Sequence, residues 1–389
     1  MRNKFVTVAR SLMIGSLFLS LLPTPPAAAA RGPELGIMTG ASLLNMKPTA
    51  LKQRLQDIKH LGATWIRVDF SWSIIQAKNA RTYNFKVYDK VVMAAEHAGL
   101  KVLGILTYTP KWARDARCSA LVGDDEHAGQ KCAPADAHRF AVFAKTVAYR
   151  YRLHAVYGWE IWNEPNLLSY WREADRAGHL VVNPVSYARL ATRAANAIHA
   201  VDPHIAVITG GLSPMYEPTP ARGMRQSDFL RDMLPHLTRG GVTAIGIHPY
   251  SWPAPPEQAA LWNAFYTVDH GGKYNLSAII GAAHRTDLKL WATEYGAPTV
   301  GVTPAGLKPS AWARPDHVNE ATQARLVAAA VKSWYGKPNV GPMFIYADSD
   351  KYLPQVKNSG GFGLRRFDGK PKPAYMDLLN NFKAIKAAK

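Results

Sequence analysis

Eight short apolar segments recur along this chain, each ending in polar or aromatic residues and most followed by a helical pattern, and this alternation narrows the fold more than any other feature. They are Leu35 to Gly40, Thr64 to Trp72, Lys101 to Thr109, Tyr157 to Pro165, Ala206 to Ser213, Ala244 to Tyr250, Leu288 to Gly296 and Met343 to Asp350. Helix candidates fall between them at Ala50 to Leu61, Phe85 to Ala98, Asp136 to Tyr151, Val185 to Ala200, Asp228 to Leu237, Tyr274 to His284 and Glu320 to Tyr335, with a last one at Ala374 to Ala388. Strands that alternate with helices imply an α/β protein with a parallel sheet and right-handed crossovers, and eight such units suit a closed (β/α)8 TIM barrel. A doubly wound open sheet is the alternative. It usually carries a Gly-rich phosphate turn after its first strand, and Gly36-Ile37-Met38-Thr39-Gly40 lacks that spacing.

Two further signals agree. Gly62 and Gly99 stand where a helix must stop before the second and third strands. Long insertions follow the third to seventh strands, at Pro110 to Pro134, Asn166 to Pro184, Pro214 to Ser227, Ser251 to Lys273 and Ala297 to Asn319. All are strand-to-helix connections, the side on which barrel enzymes build their sites.

The N-terminus reads as an export signal. Arg2, Lys4 and Arg10 precede the apolar run Ser11 to Leu22, and small residues Ala27 to Ala30 follow, so cleavage after Ala30 is expected. The apolar run is too short for a spanning helix of ~20 residues, which predicts no stable membrane insertion after cleavage. Residues 31–389 then form one barrel domain, secreted or held in the periplasm or cell envelope. Removing Arg2, Lys4 and Arg10 lowers the net charge from +19 to +16. Such a balance favours contact with anionic envelope polymers, although a plain solvated basic surface reads equally well. Export and the lack of a dense basic run argue against nucleic acid. Cys118 and Cys132 are the two cysteines of the chain, and in an exported protein they suit a loop-closing disulfide better than a metal site, because no zinc-ligand spacing surrounds them.

The chemistry is carried by two strand ends. The fourth closes as Trp159-Glu160-Ile161-Trp162-Asn163-Glu164-Pro165-Asn166 and the seventh as Trp291-Ala292-Thr293-Glu294-Tyr295-Gly296. Each puts a carboxylate at the C-terminal lip, where side chains from different strands converge. Two such carboxylates are what cleavage of a glycosidic bond requires: one protonates the leaving oxygen and later deprotonates water, and the other attacks the anomeric carbon or activates water. Neither step calls for a cofactor or metal.

The pentapeptide Trp162 to Asn166 and the order of the two Glu-bearing strands resemble the clan A glycoside hydrolases, most closely family 39 and next the cellulase family 5. The resemblance implies a retaining glycosidase with Glu164 as acid/base and Glu294 as nucleophile. It implies that Asn163 bonds the sugar 2-hydroxyl, that Arg67 of the second strand supports the nucleophile, and that His248 and Tyr250 stand beside it. The chain departs from the pattern where Tyr346 occupies the eighth-strand place of a sugar-stacking Trp. It departs again where Tyr108 and Trp112 stand in place of a third-strand His.

Strict alternation puts Glu160, Trp162 and Glu164 on one strand face and Asn163 on the other, so a break or bulge is needed for Asn163 and Glu164 to reach one sugar. Glu160 then lies deeper in the barrel and needs a partner, for which Arg67 is the leading candidate. Trp72, Trp112, Trp171, Trp252 and Trp312 fall at strand ends or in long loops, where they either stack on sugar rings or pack the loops together. Asp69, Asp348 and Asp350 read as supporting or structural acids. The expected activity is endo-cleavage of an extracellular or cell-envelope polysaccharide. A sugar-transferring enzyme with the same intermediate and a noncatalytic glycan-binding barrel are the rivals.

Overall fold

The computed structural model describes residues 34–299, 317–351 and 361–387. The export segment and Trp312 lie outside the described residues. Eight parallel strands close into a barrel in sequential order: β1 (Leu35–Gly40), β2 (Trp65–Ser71), β3 (Lys101–Thr107), β4 (Val156–Ile161), β5 (Ala206–Thr209), β6 (Ala244–Ile247), β7 (Lys289–Tyr295) and β8 (Val340–Tyr346). Closure runs through β1, which pairs with β8 at Leu35↔Met343 and with β2 at Gly36↔Trp65. The eight principal helices are α1 (Pro48–His60), α2 (Lys86–His97), α3 (Ala137–Tyr151), α4 (Pro184–His199), α5 (Gln226–Met233), α6 (Leu276–Ala282), α7 (Glu320–Trp334) and α8 (Pro373–Ala387). The expected (β/α)8 barrel is what the chain forms.

Local chemistry sets the helix ends. In α4 the Asn183 side chain accepts hydrogen bonds from the Val185 and Ser186 amides at 3.1 Å, and Pro184 fills the first turn, where no amide partner is needed. Tyr187, Ala191, Ala194, Ala195 and Ile198 then follow at helical spacing and are buried on the barrel side. Gly62 and Gly99 close α1 and α2 at φ of 102° and 65°, a backbone region that disfavours other residues.

Side chains fill the barrel in layers. The lower one is apolar: Trp65, Leu103, Ile208, Ala244, Trp291 and Phe344, with Trp65 edge-on to Trp291 at 5.8 Å and to Phe344 at 6.2 Å. Above it Arg67 and Glu160, both fully buried, begin the polar layer that reaches the C-terminal lip. Among the described residues no helix is long and apolar enough to cross a membrane.

The insertion after β3 carries a helical turn at Lys111–Ala113 and two short helices, Ala116–Val122 and Glu126–Gly129. Cys118 and Cys132 form the expected disulfide within it. The insertion after β4 carries a small hairpin, Glu173–Ala174 with Leu180–Val181. The sequence pattern gave no sign of these additions, because elements of two to seven residues are too short to show a period.

Candidate active site

The end of β4 breaks as the motif requires. Regular pairing stops at Ile161, and Trp162 and Glu164 both take left-handed backbone, at φ of 75° and 46°. The turn cancels the alternation, so consecutive Asn163 and Glu164 both enter the site. The Glu164 amide donates to the Gly211 carbonyl at 3.1 Å, which pins the turn to the end of β5. That close approach depends on glycine: a Cβ on Gly210 would lie 2.7 Å from the Trp162 carbonyl oxygen, and one on Gly211 would lie 2.1 Å from His248 Nε2. Tyr108, at the end of β3, is left-handed too, at φ of 68°. Backbone strain thus gathers at the lip, as it does at sites held by their surroundings.

Glu294 reaches the same place by a different irregularity. Between the pairs Ala292↔Met343 and Tyr295↔Ile345, β7 takes three steps to two on β8, and the extra residue turns Glu294 inward.

Arg67 joins the two strand ends. Its Nε and Nη2 donate to Glu160 Oε2 and Oε1 at 2.6 and 2.9 Å, its Nη1 to Glu294 Oε1 at 2.6 Å, and its Nη2 also to Asn163 Oδ1 at 2.9 Å. The Gly211 amide adds a bond to Glu160 Oε1 at 2.9 Å. The deep carboxylate therefore has its partner, and one guanidinium serves both acids. Its planar fork allows this, whereas an ammonium could not span the same four acceptors in one plane.

Glu294 Oε2 accepts from the Tyr250 hydroxyl at 2.8 Å and lies 3.6 Å from His248 Nδ1. Burial alone pushes this carboxyl up, but His248, Arg67 and the Tyr250 hydroxyl outweigh it and hold Glu294 below its ordinary range. Tyr250 is pushed well above the ordinary phenol range by burial and by the Glu294 charge, so it keeps its proton and remains a donor. His248 Nδ1 is 2.8 Å from Glu164 Oε1. Nδ1 thus faces both carboxylates, while Nε2 is buried with no hydrogen-bond partner among the described residues.

One oxygen of Glu164, one of Glu294 and a nitrogen of His248 all lie within 4.8 Å of each other. Three such atoms are also close enough to hold a metal ion. The Arg67 guanidinium on Glu294 opposes a second cation there, and the oxygens of that carboxylate are already engaged by Arg67 and Tyr250.

Arg67, Asn163, Glu164, His248, Tyr250 and Glu294 thus converge, and Tyr108 and Tyr346 stand half-buried at the rim. Burial and the neighbouring charges of Asp69, Glu164 and Glu294 push the Tyr108 hydroxyl up, and Tyr346 accepts a 3.3 Å bond from Lys351. Trp72 is a correction. Of its two readings, a sugar-stacking ring or a packing ring, the first fails, because Trp72 is fully buried, stacked on Phe143 at 5.4 Å, with its indole N–H donated to Gln76 Oε1. Its ring belongs to the layer between barrel and helices because it opens a short helix, Trp72–Ile75, that turns it outward from the lip. Trp171 is likewise buried, edge-on to Trp162 at 5.0 Å, and packs the loops. Trp112 leans edge-on against Trp72 and donates to the Gln76 carbonyl, leaving part of the ring exposed. Trp252, partly exposed, packs edge-on against Tyr250.

Sequence reasoning missed Tyr170 and Lys131. The Glu164 charge is the largest of the influences that raise the Tyr170 hydroxyl, ahead of burial. Both residues sit inside long insertions with no motif of their own. Asp348 and Asp350 are structural, paired with Arg54 at 2.5 Å and Lys372 at 2.8 Å.

Among curated proteins the chain is similar to a β-xylosidase of Geobacillus stearothermophilus, 25% identical over 248 residues that cover 58% of this chain and 41% of that one. Solved structures with the same fold include a family 39 glycoside hydrolase from the gut symbiont Bacteroides cellulosilyticus WH2, at 19% identity and a TM-score of 0.58, covering 91% of this chain and 64% of that one. A family 39 enzyme from Xanthomonas axonopodis pv. citri matches at 18% identity and 0.62, covering 92% and 66%. A family 5 enzyme from Streptomyces cattleya, in complex with GlcNAc, matches at 16% and 0.62, covering 93% and 82%. The chain thus spans less than two thirds of the β-xylosidase and of both family 39 structures. Residues 29–332 match the family model described as cellulase (glycosyl hydrolase family 5), the second of the two families that the Asn-Glu-Pro motif resembles. The chain belongs to glycosyl hydrolase family 5.

Proposed function

We propose that this chain hydrolyses O-glycosidic bonds by double displacement with retention, Glu164 serving as acid/base and Glu294 as nucleophile. The observation that carries the reading is the approach of the two carboxylates to within 4.8 Å between their nearest oxygens, with Glu294 held ionised. Retaining glycosidases place this pair ~5–5.5 Å apart, whereas inverting ones leave ~6.5–9.5 Å for a water.

Each residue then has a task. Glu294 attacks the anomeric carbon while Glu164 gives its proton to the leaving oxygen, and a glycosyl ester on Glu294 results. Esterification removes the Glu294 charge, and Glu164, now ionised, takes a proton from the water that attacks the anomeric carbon, so that the carbon–oxygen bond to Glu294 breaks and its carboxylate is released. Arg67 and the Tyr250 hydroxyl keep the nucleophile oriented in both steps. Asn163 spends its carbonyl oxygen on Arg67, which leaves its amide N–H groups free to donate to a sugar hydroxyl. His248 bonds Glu164 and fixes its rotamer.

The finer form of the proposal is a secreted enzyme that cuts within an extracellular or cell-envelope polysaccharide. Support comes from the basic charge, the long insertions on the catalytic side and the partly exposed rings of Trp112 and Trp252. The test is a polysaccharide panel with size analysis of products. Glu164→Gln and Glu294→Gln should each lower reducing-sugar release by roughly 10³-fold or more, in line with the loss of an acid/base or nucleophile. Unchanged release in either variant contradicts the assignment, and binding without release by the wild type would favour a noncatalytic barrel.

A further inference from the structure

Lys131 is a buried ammonium for which the protein supplies no acid. The residue is 4% exposed, and among the described residues no carboxylate lies within ion-pair distance of it. Its neighbours are ring faces: Tyr108 at 3.8 Å and Tyr170 at 5.1 Å from Nζ. Cation–π contact offsets part of the desolvation of a cation but leaves its hydrogen-bond donors unused.

The position is built. Lys131 N donates to the Ala128 carbonyl and the Arg172 amide donates to the Lys131 carbonyl, at 3.1 and 3.0 Å. On one side Gln130 accepts from the Thr109 amide, and on the other Cys132 is tied to Cys118 and accepts from Thr109 Oγ1 at 2.7 Å. The backbone is thus fixed to the end of β3, and the ammonium is held ready before any ligand arrives. Its surroundings are those of the cleft. Asp69 and Glu164 are the acids whose charge reaches it, neither in contact; of its rings, Tyr108 is edge-on to Trp162 at 6.3 Å and Tyr170 accepts at its carbonyl from the Trp162 indole at 2.7 Å, two residues before Glu164, whose charge raises both hydroxyls. Burial pushes the ammonium down to about 8, the nearby Arg172 adding to this, so it remains mostly charged at neutral pH.

Resting on the glycosidase reading above, we propose that Lys131 is the anion-binding element of a sugar subsite next to the cleaved bond, and that the natural substrate presents a sugar carboxylate there, as a uronosyl residue does. The carboxylate would complete the donors that the two rings leave open. The basic charge of the whole chain, +19, suits approach to such a polyanion.

The probes are oligogalacturonates, oligoglucuronates and the same oligosaccharides with their carboxylates reduced to alcohols. Binding to the full chain is measured by calorimetry, and turnover by the ratio of kcat/KM for each acid and its reduced form. The inference expects wild-type protein to favour an acid form about tenfold or more, the scale of one charge-assisted hydrogen bond. Lys131→Met should bring that ratio close to one, chiefly through KM, and Lys131→Arg should restore most of it. Equal binding of acid and reduced forms by wild type overturns the inference. So does a Lys131→Met ratio that stays high, or a loss shared equally by both forms, which would mark a structural plug or a charge acting on Glu164. Selective binding of the acid form without cleavage would sink the glycosidase reading and leave the subsite standing.

Discussion

At the scale of residues, the site is a contest between burial and donors, and at Glu294 the donors win. Two donors reach its oxygens, from Arg67 and Tyr250, with His248 close by, and together they outweigh the desolvation that would otherwise keep the acid protonated. On the proposed mechanism Glu294 must be ionised to attack, so the acid limb of kcat/KM should fall below the ordinary carboxylate value of about 4.3. Tyr250→Phe removes one donor, which raises the Glu294 carboxyl and moves that limb to higher pH, with kcat falling roughly tenfold or more. A pH–rate profile checks both the direction and the origin, and a limb that stays in place would detach Tyr250 from the nucleophile. Much of this residue chemistry was legible beforehand. Arg67, Asn163, Glu164, His248, Tyr250 and Glu294 all lie in short motifs at strand ends, where position and side-chain chemistry point the same way. Lys131 and Tyr170 were not legible, because a long insertion brings them to the cleft and nothing in their local sequence fixes its path.

At the scale of elements, the strands were legible and their irregular ends only partly so. Alternation required that β4 break before Asn163 and Glu164 could share a sugar, and the left-handed Trp162 and Glu164 supply the break. The corresponding step in β7 left no sequence sign, since a bulge is made by pairing with β8 and not by composition. Trp72 shows the converse failure. An aromatic residue at a strand end has the same signature whether it faces the mouth or the helices, and here the turn into Trp72–Ile75 sends it to the core against Phe140 and Phe143. Trp72→Ala should therefore cost ~3–5 kcal/mol of stability. Chemical denaturation measures that loss, and KM at a temperature where the variant is folded should match the wild type. A raised KM with little loss of stability would return Trp72 to the substrate.

At the scale of the whole molecule, the barrel divides its labour by height. The lower layer of Trp65, Trp291 and Phe344 is apolar and secures packing, and the buried Arg67–Glu160 pair above it carries the transition to the polar lip. A buried ion pair adds little net stability, so its value here lies in holding Glu294 and Asn163 at fixed positions across the barrel. That placement sets the short gap between the carboxylates, which on the proposed mechanism sets the stereochemical course. The most direct measurement is proton NMR of the first product released from a cleaved polysaccharide, recorded before mutarotation. The account predicts that the new reducing end appears in the same anomeric configuration as the bond that was cut. Appearance of the opposite anomer would mean that water attacks directly, and Glu294 would then not be the nucleophile.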